Sequence, residues 1–85
     1  MIKDVVIKNP TGLHARPAAQ LVELSKKFQS TISLQAGDRK CDAKSIFNVL
    51  RCCIKIGETI TITADGADEE EAMEQLVCFI GNLEE

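Results

Sequence analysis

The chain has 85 residues, of which 45% are hydrophobic, 10 are Lys or Arg and 13 are Asp or Glu, so its formal net charge is −3. This length predicts one domain over residues 1–85, with a modest core and no deep substrate cavity. The acidic balance, the scarcity of aromatic residues and the short apolar runs argue against nucleic-acid binding and membrane insertion. No basic-then-apolar leader opens the chain, so we expect a cytoplasmic protein.

The predicted elements are strands of β-branched or alternating residues and helices whose apolar residues recur three and four apart. In chain order they are a strand at Met1–Lys8, a helix from Ala15, a hairpin of Ser30–Ala36 and Arg39–Asp42, a short helix in Ser45–Cys53, a strand at Thr59–Ala64 and a helix capped by Asp68. The order β-α-β-β-α-β-α predicts an α+β fold. Its four-stranded, mostly antiparallel sheet would carry three helices on one face and leave the other face open to water.

At two helix starts, side chains are expected to cap the helix. Ser45 is placed to cap the second helix with its hydroxyl. At the third helix, Asp68 and Glu71 fit the spacing of a capping box.

The four cysteines have neither a regular disulfide pattern nor zinc-ligand spacing; they are Cys41, Cys52, Cys53 and Cys78. Disulfides remain an alternative, but reduced thiols that pack as small apolar side chains are favoured. Neighbours on a helix point about 100° apart, so at most one of Cys52 and Cys53 faces the core. We expect Cys53 to lie inside with Val49 and Cys52 to be exposed. Neither a metal nor a cofactor is expected.

His14 is the only histidine, and it lies in the stretch TGLHARPAA directly before the predicted first helix. The free N–H groups of a first helical turn, the helix dipole and the Arg16 guanidinium together favour binding of an anion such as phosphate. Pro17 fits the first turn but disfavours helical geometry at Arg16, and Gly12 permits an unusual turn. From these residues alone, three interpretations of His14 stay open: an incidental surface or capping residue, part of an anion-binding site, or a nucleophile.

The stretch Gly12–Ala18 (GLHARPA) resembles the active-site motif of the HPr family, the histidine-containing phosphocarriers of the phosphoenolpyruvate:sugar phosphotransferase system (PTS). Asp42–Ile46, Ile54–Ile62 and Gly66–Ala72 are similar to the same family. The resemblance covers essentially the whole chain. It implies the open-faced β-sandwich of that family, which agrees with the predicted element order.

The resemblance also implies roles for the residues of the motif. His14 would accept a phosphoryl group on Nδ1 from phosphorylated Enzyme I and give it to a histidine of a sugar-specific enzyme IIA. Arg16 would neutralise phosphate charge, the N–H groups of Ala15 and Arg16 would bind phosphate oxygens, and Pro17 would complete this phosphate-binding stretch. Thr11 would lie beside the phosphate or serve only to form the turn. Such a protein is a stoichiometric carrier and not a turnover enzyme.

Ser45 has a second implied role beside helix capping. In HPr-like proteins of some bacteria a dedicated kinase, HPr kinase/phosphorylase, phosphorylates this serine, and the product binds a transcriptional regulator. Ile46, Phe47, Leu50 and Arg51 are expected to form a surface for partner proteins. Phe47 is expected to be exposed, because it lies off the apolar row of the helix.

The chain departs from the family around Ser45. It has Phe47 where methionine is usual, Asn48 where glycine is usual and Arg51 where a small polar residue is usual, and Cys52-Cys53 replaces leucine and a small residue. The histidine motif is intact, so phosphohistidine transfer is better supported than recognition by a kinase or regulator.

The leading functional prediction is therefore a PTS phosphocarrier. The main alternative is a regulatory HPr-like binding module, for catabolite or nitrogen regulation, that acts through phosphorylated Ser45. A carrier that feeds a nitrogen-related branch and an anion-binding domain without transfer also stay open. Expected partners are Enzyme I, enzyme IIA and, for Ser45, the kinase and a regulator. A monomer is expected, since no large apolar face is left over.

Overall fold

The computed structural model describes residues 1–85 and has the predicted element order. The strands are β1 (Ile2–Val6), β2 (Thr31–Ala36), β3 (Arg39–Asp42) and β4 (Thr59–Asp65). The helices are α1 (Ala15–Ser25), α2 (Ile46–Cys52) and α3 (Glu69–Gly81). None of these helices has the length and hydrophobicity needed to cross a bilayer.

The four strands form one sheet in the order β1-β4-β2-β3, and every neighbouring pair is antiparallel. Side chains alternate between the two faces of a strand. In β4, Ile60, Ile62 and Ala64 are fully buried, whereas the threonines between them are more exposed. The predicted α+β architecture, with one face covered by helices and the other open, is confirmed.

One contiguous cluster of 21 buried apolar residues forms the core. Leu21 and Val22 of α1 and Leu76 and Ile80 of α3 belong to it, which confirms that these helices bury the stripes expected from their spacing. Leu13, which directly precedes His14, is also fully buried in this cluster. The core therefore holds the chain on one side of the candidate histidine.

The expectation for the adjacent cysteines is wrong, because their positions are reversed. Cys52 is 5% exposed, whereas Cys53 is exposed. Helix α2 ends at Cys52, and Cys53 adopts a left-handed conformation (φ 49°, ψ 49°), so the helical spacing does not extend to it. Cys41 and Cys52 are free buried thiols, and burial together with the neighbouring Cys52 raises the pKa of the Cys41 thiol. Both therefore serve as small apolar core residues.

The capping box predicted for α3 is also wrong. Asp68 occupies the N-cap position, but its side chain makes no capping hydrogen bond. Its carboxylate instead accepts hydrogen bonds from the N–H of Gln29 at 2.8 Å, from the N–H of Ser30 at 2.9 Å and from the Ser30 hydroxyl. The carboxylate is thus used to join α3 to the segment that precedes β2.

Candidate functional site

The histidine loop (residues 7–14) connects β1 to α1 and closes on itself through Asn9. The side-chain Nδ2 of Asn9 donates to the carbonyl of Gly12 at 2.8 Å, and the Gly12 N–H donates to the carbonyl of Asn9 at 3.1 Å. Asn9 is almost fully buried. These bonds give the turn before His14 a defined shape.

The same loop is anchored to the segment that follows α2. The Leu13 N–H donates to the carbonyl of Ile54 at 3.0 Å. Gly12 has a φ of +63°, and a Cβ at this position would lie 2.3 Å from the Ile54 carbonyl oxygen and 2.9 Å from the Cα of Lys55. Only glycine satisfies both the left-handed conformation and this close approach.

His14 is the N-cap residue of α1, with an extended backbone (φ −135°, ψ 165°). Its side chain is exposed and makes no capping hydrogen bond, so the capping interpretation is wrong. No group of three or more His, Cys, Asp or Glu side chains is placed to hold a metal ion. The imidazole is therefore exposed to solvent.

Two backbone donors lie beside His14. The N–H groups of Ala15 and Arg16 have no acceptor within the protein, and Pro17, which has no N–H, is buried. Ala15 has a φ of +51°, so the irregular helix start expected from Pro17 occurs at Ala15, one residue earlier than predicted. The unpaired N–H groups at the positive end of α1 supply the donors that an anion needs.

Glu85 brings Thr11 and Arg16 to the same point of the structure. Arg16 Nη1 lies 3.2 Å from Glu85 Oε1, and both side chains are largely exposed (71% and 50%). The backbone oxygen of Glu85 accepts hydrogen bonds from the Thr11 hydroxyl, from the Thr11 N–H at 3.1 Å and from Asn9 Nδ2 at 3.0 Å. Sequence reasoning missed Glu85, because 69 residues separate it from Arg16.

Ser45 caps α2 as predicted. Its Oγ accepts a hydrogen bond from the Asn48 N–H at 3.4 Å and a second one from the side-chain Nδ2 of Asn48 at 3.0 Å. Both residues are half-buried. The second bond was not predicted, although the departure from glycine at position 48 was the signal that could have indicated it.

On the α2 surface predicted to bind partners, Phe47 is exposed, as expected. Phe47 is 76% exposed, Arg51 is exposed, and Ile46 and Leu50 are half-buried. Ile56, in the turn after α2, is 55% exposed and was missed, because the turn signal around it gave no reason to expect a free apolar side chain. These residues present apolar side chains together with a positive charge.

Arg39 and Glu58 hold the segment that anchors the histidine loop. Arg39 Nη1 donates to the carbonyls of Cys52 at 2.7 Å and Cys53 at 3.1 Å, and its Nη2 pairs with the Glu58 carboxylate. The other oxygen of Glu58 accepts from the Lys55 N–H at 2.7 Å. That hydrogen bond, followed by the one from Arg39, lowers the pKa of Glu58. The network connects β3 and the end of α2 to the segment after α2, to which Leu13 donates its backbone hydrogen bond.

Comparison with known proteins identifies the family. Residues 2–82 match the family model described as PTS HPr component phosphorylation site. Phosphocarrier protein HPr of Haemophilus influenzae is 45% identical over 82 residues, which cover 96% of each chain. HPr-like protein Crh of Halalkalibacterium halodurans is 45% identical over 78 residues, which cover 92% of this chain and 93% of Crh. The crystal structure of HPr-C-His from Thermoanaerobacter tengcongensis superposes with a TM-score of 0.93 at 41% identity and covers 95% of this chain and 91% of that one. The chain therefore belongs to the HPr family of PTS phosphocarrier proteins.

Proposed function

We propose that the protein accepts a phosphoryl group on His14 from phosphorylated Enzyme I and passes it to a sugar-specific enzyme IIA. One observation carries the proposal: the exposed imidazole of His14 lies beside the unpaired N–H groups of Ala15 and Arg16 at the beginning of α1. The protein acts as a stoichiometric carrier, since it needs a partner to supply the phosphoryl group and a partner to receive it.

In the transfer step, the lone pair of His14 Nδ1 attacks the phosphorus of the donor. The new N–P bond forms as the bond between phosphorus and the donor atom breaks, and the donor atom leaves with that electron pair. The two N–H groups and the Arg16 guanidinium donate hydrogen bonds to the phosphoryl oxygens. Each helix-dipole contact contributes only about 0.3–1 kcal/mol at an exposed site, so the group is held and then released.

Arg16 and Thr11 contribute differently to this proposal. Arg16 is largely exposed and its contact with Glu85 is weak, so the guanidinium is free to move to a phosphate. The Thr11 hydroxyl is occupied by the backbone oxygen of Glu85. This occupation favours the turn-forming role of Thr11 over a direct contact with the phosphate.

Partner proteins are proposed to bind the surface formed by Ile46, Phe47, Leu50 and Arg51. The high exposure of Phe47 supports this, because a large apolar side chain without a covering contact gains from burial in a complex. Transient complexes need a small interface, below about 1,200 Å². A surface of this size suits a carrier that must leave one partner before it meets the next.

The test is to incubate the protein with Enzyme I and radiolabelled phosphoenolpyruvate, beside His14→Ala and Arg16→Ala variants. We expect acid-labile label on the wild type, none on His14→Ala and slower labelling of Arg16→Ala. Adding enzyme IIA should then remove the label from the wild type. Circular dichroism provides the folding control, and a folded wild type that takes up no label would contradict the proposal.

A second proposed function is regulation through phosphorylation of Ser45, with HPr kinase/phosphorylase and a transcriptional regulator as partners. The observation that favours it is the 45% identity to the HPr-like protein Crh, which equals the identity to HPr of Haemophilus influenzae. A module that acted only in this way would not need His14, so the carrier function comes first. Acid-stable label from ATP on the wild type and not on Ser45→Ala would support the regulatory function.

A further inference from the structure

We propose that the side chain of Asn48 restrains Ser45 as a phosphate acceptor and thereby sets how readily this chain is phosphorylated there. The inference rests on the proposed regulatory function of Ser45. It starts from the two hydrogen bonds that Asn48 donates to Ser45 Oγ, at 3.4 Å from its N–H and 3.0 Å from its side-chain Nδ2. The first is the capping bond of α2, whereas the second depends on the asparagine side chain.

These bonds occupy the part of the hydroxyl group that must react. A serine hydroxyl has one O–H donor and two acceptor lone pairs. In transfer from ATP, an Oγ lone pair attacks the γ-phosphorus, the hydroxyl proton passes to a base of the kinase, and ADP leaves with the electrons of the broken P–O bond. Oγ accepts two hydrogen bonds from Asn48, as many as its two lone pairs allow, so at least one of them must break before the attack.

The backbone of Ser45 is also held, so Oγ can move away from Asn48 only by rotation of the side chain about χ1. The Ser45 N–H donates to the carbonyl of Asp42 at 3.0 Å, and the Ser45 carbonyl accepts from the Val49 N–H at 3.0 Å. Next to it, Lys44 Nζ donates to the carbonyl of Phe28 at 2.7 Å. Movement of Oγ away from Asn48 therefore needs a new rotamer of the serine and the loss of the side-chain bond.

The size of the effect follows from the value of one hydrogen bond. The net contribution of a single neutral hydrogen bond corresponds to about a two- to tenfold change in rate. Removal of the Asn48 side-chain donor should therefore speed phosphorylation by about that factor. The backbone N–H of residue 48 stays in place, so the cap of α2 is retained.

The experiment compares the full-length wild type with Asn48→Ala, Asn48→Leu and Ser45→Ala, each incubated with purified HPr kinase/phosphorylase and radiolabelled ATP. Asn48→Ala removes both the donor and the bulk, whereas Asn48→Leu removes the donor and keeps a side chain of similar size. The readout is kcat for acid-stable labelling, because altered docking on the kinase changes KM instead. Thermal unfolding by circular dichroism establishes that each variant is folded.

We expect both Asn48 variants to be labelled about two- to tenfold faster than the wild type in kcat, and Ser45→Ala not to be labelled. Acceleration in Asn48→Ala alone would assign the effect to bulk and overturn the proposal. Equal or slower labelling of both variants would overturn the restraint while the regulatory function of Ser45 stands. If no folded chain were labelled, including the two variants without the donor, both the restraint and the regulatory function would be wrong.

Discussion

At the scale of single residues, Gly12 determines where the histidine loop lies relative to the segment after α2. A Cβ at this position would lie 2.3 Å from the Ile54 carbonyl oxygen, and the φ of +63° is unfavourable for any other residue. We expect Gly12→Ala to lower the free energy of unfolding by about 2–5 kcal/mol, because a backbone clash adds to left-handed strain. Equilibrium urea unfolding measures this loss.

Gly37 is the matched control for Gly12. Its φ is +61°, but a Cβ there would meet nothing within 4 Å. Gly37→Ala should therefore cost only the left-handed strain, about 1–2 kcal/mol. If the two substitutions cost the same, the contact of Gly12 with Ile54 would not be what holds the loop.

At the scale of elements, Asp68 joins the beginning of α3 to the segment before β2. The Ser30 hydroxyl, followed by the Gln29 N–H, lowers the pKa of the Asp68 carboxyl below its ordinary value of 3.8. A carboxyl with a lower pKa in the folded state is protonated first in the unfolded chain. The stability it supplies is thus complete above pH 3.8 and is lost as the pH falls below that value.

Asp68→Asn should reduce this dependence of stability on pH. We expect the variant to be less stable than the wild type at neutral pH and to lose less stability on acidification. The lowered pKa of Glu58 acts in the same direction, so the dependence should be reduced and not abolished. Thermal unfolding from neutral pH to below 3.8 measures it. The exposed turn residue Asp38, changed to Asn, serves as the control, and a wild-type slope in Asp68→Asn would contradict the assignment.

At the scale of the whole molecule, the sheet divides the protein into a packed side and an open side. Ile62 of β4 is fully buried, and its neighbours in the register are Lys3 of β1 and Leu34 of β2. Ile62→Ala should cost about 2–5 kcal/mol, because it leaves a cavity in the core. Urea unfolding measures this cost.

Thr63, the next residue of β4, tests the open side of the sheet. It is half-buried and faces away from the helices. Thr63→Ala should cost less than about 1 kcal/mol, since little beyond strand propensity is lost. A loss as large as that of Ile62→Ala would show that this face is packed as tightly as the core.

Local residue patterns were sufficient to predict the helices and strands, and they pointed to His14 as the centre of the candidate site. Strand and helix patterns depend on residues two to four positions apart. The alternation in β4 and the apolar stripes of α1 and α3 could therefore be identified from the sequence. The motif around His14 is also continuous in the chain, as is the cap that Ser45 provides for α2. The exposure of Phe47 followed from its place off the apolar row of the same helix.

Which distant segments meet depends on tertiary packing. The Asp68 carboxylate accepts hydrogen bonds from Gln29 and Ser30 instead of capping α3. Glu85 contacts Arg16, from which it is separated by 69 residues in the sequence. The left-handed residue Cys53 ends α2 and reverses the expected roles of Cys52 and Cys53. Such contacts are set by how elements pack against each other, and packing between remote segments leaves no period or spacing in the local sequence.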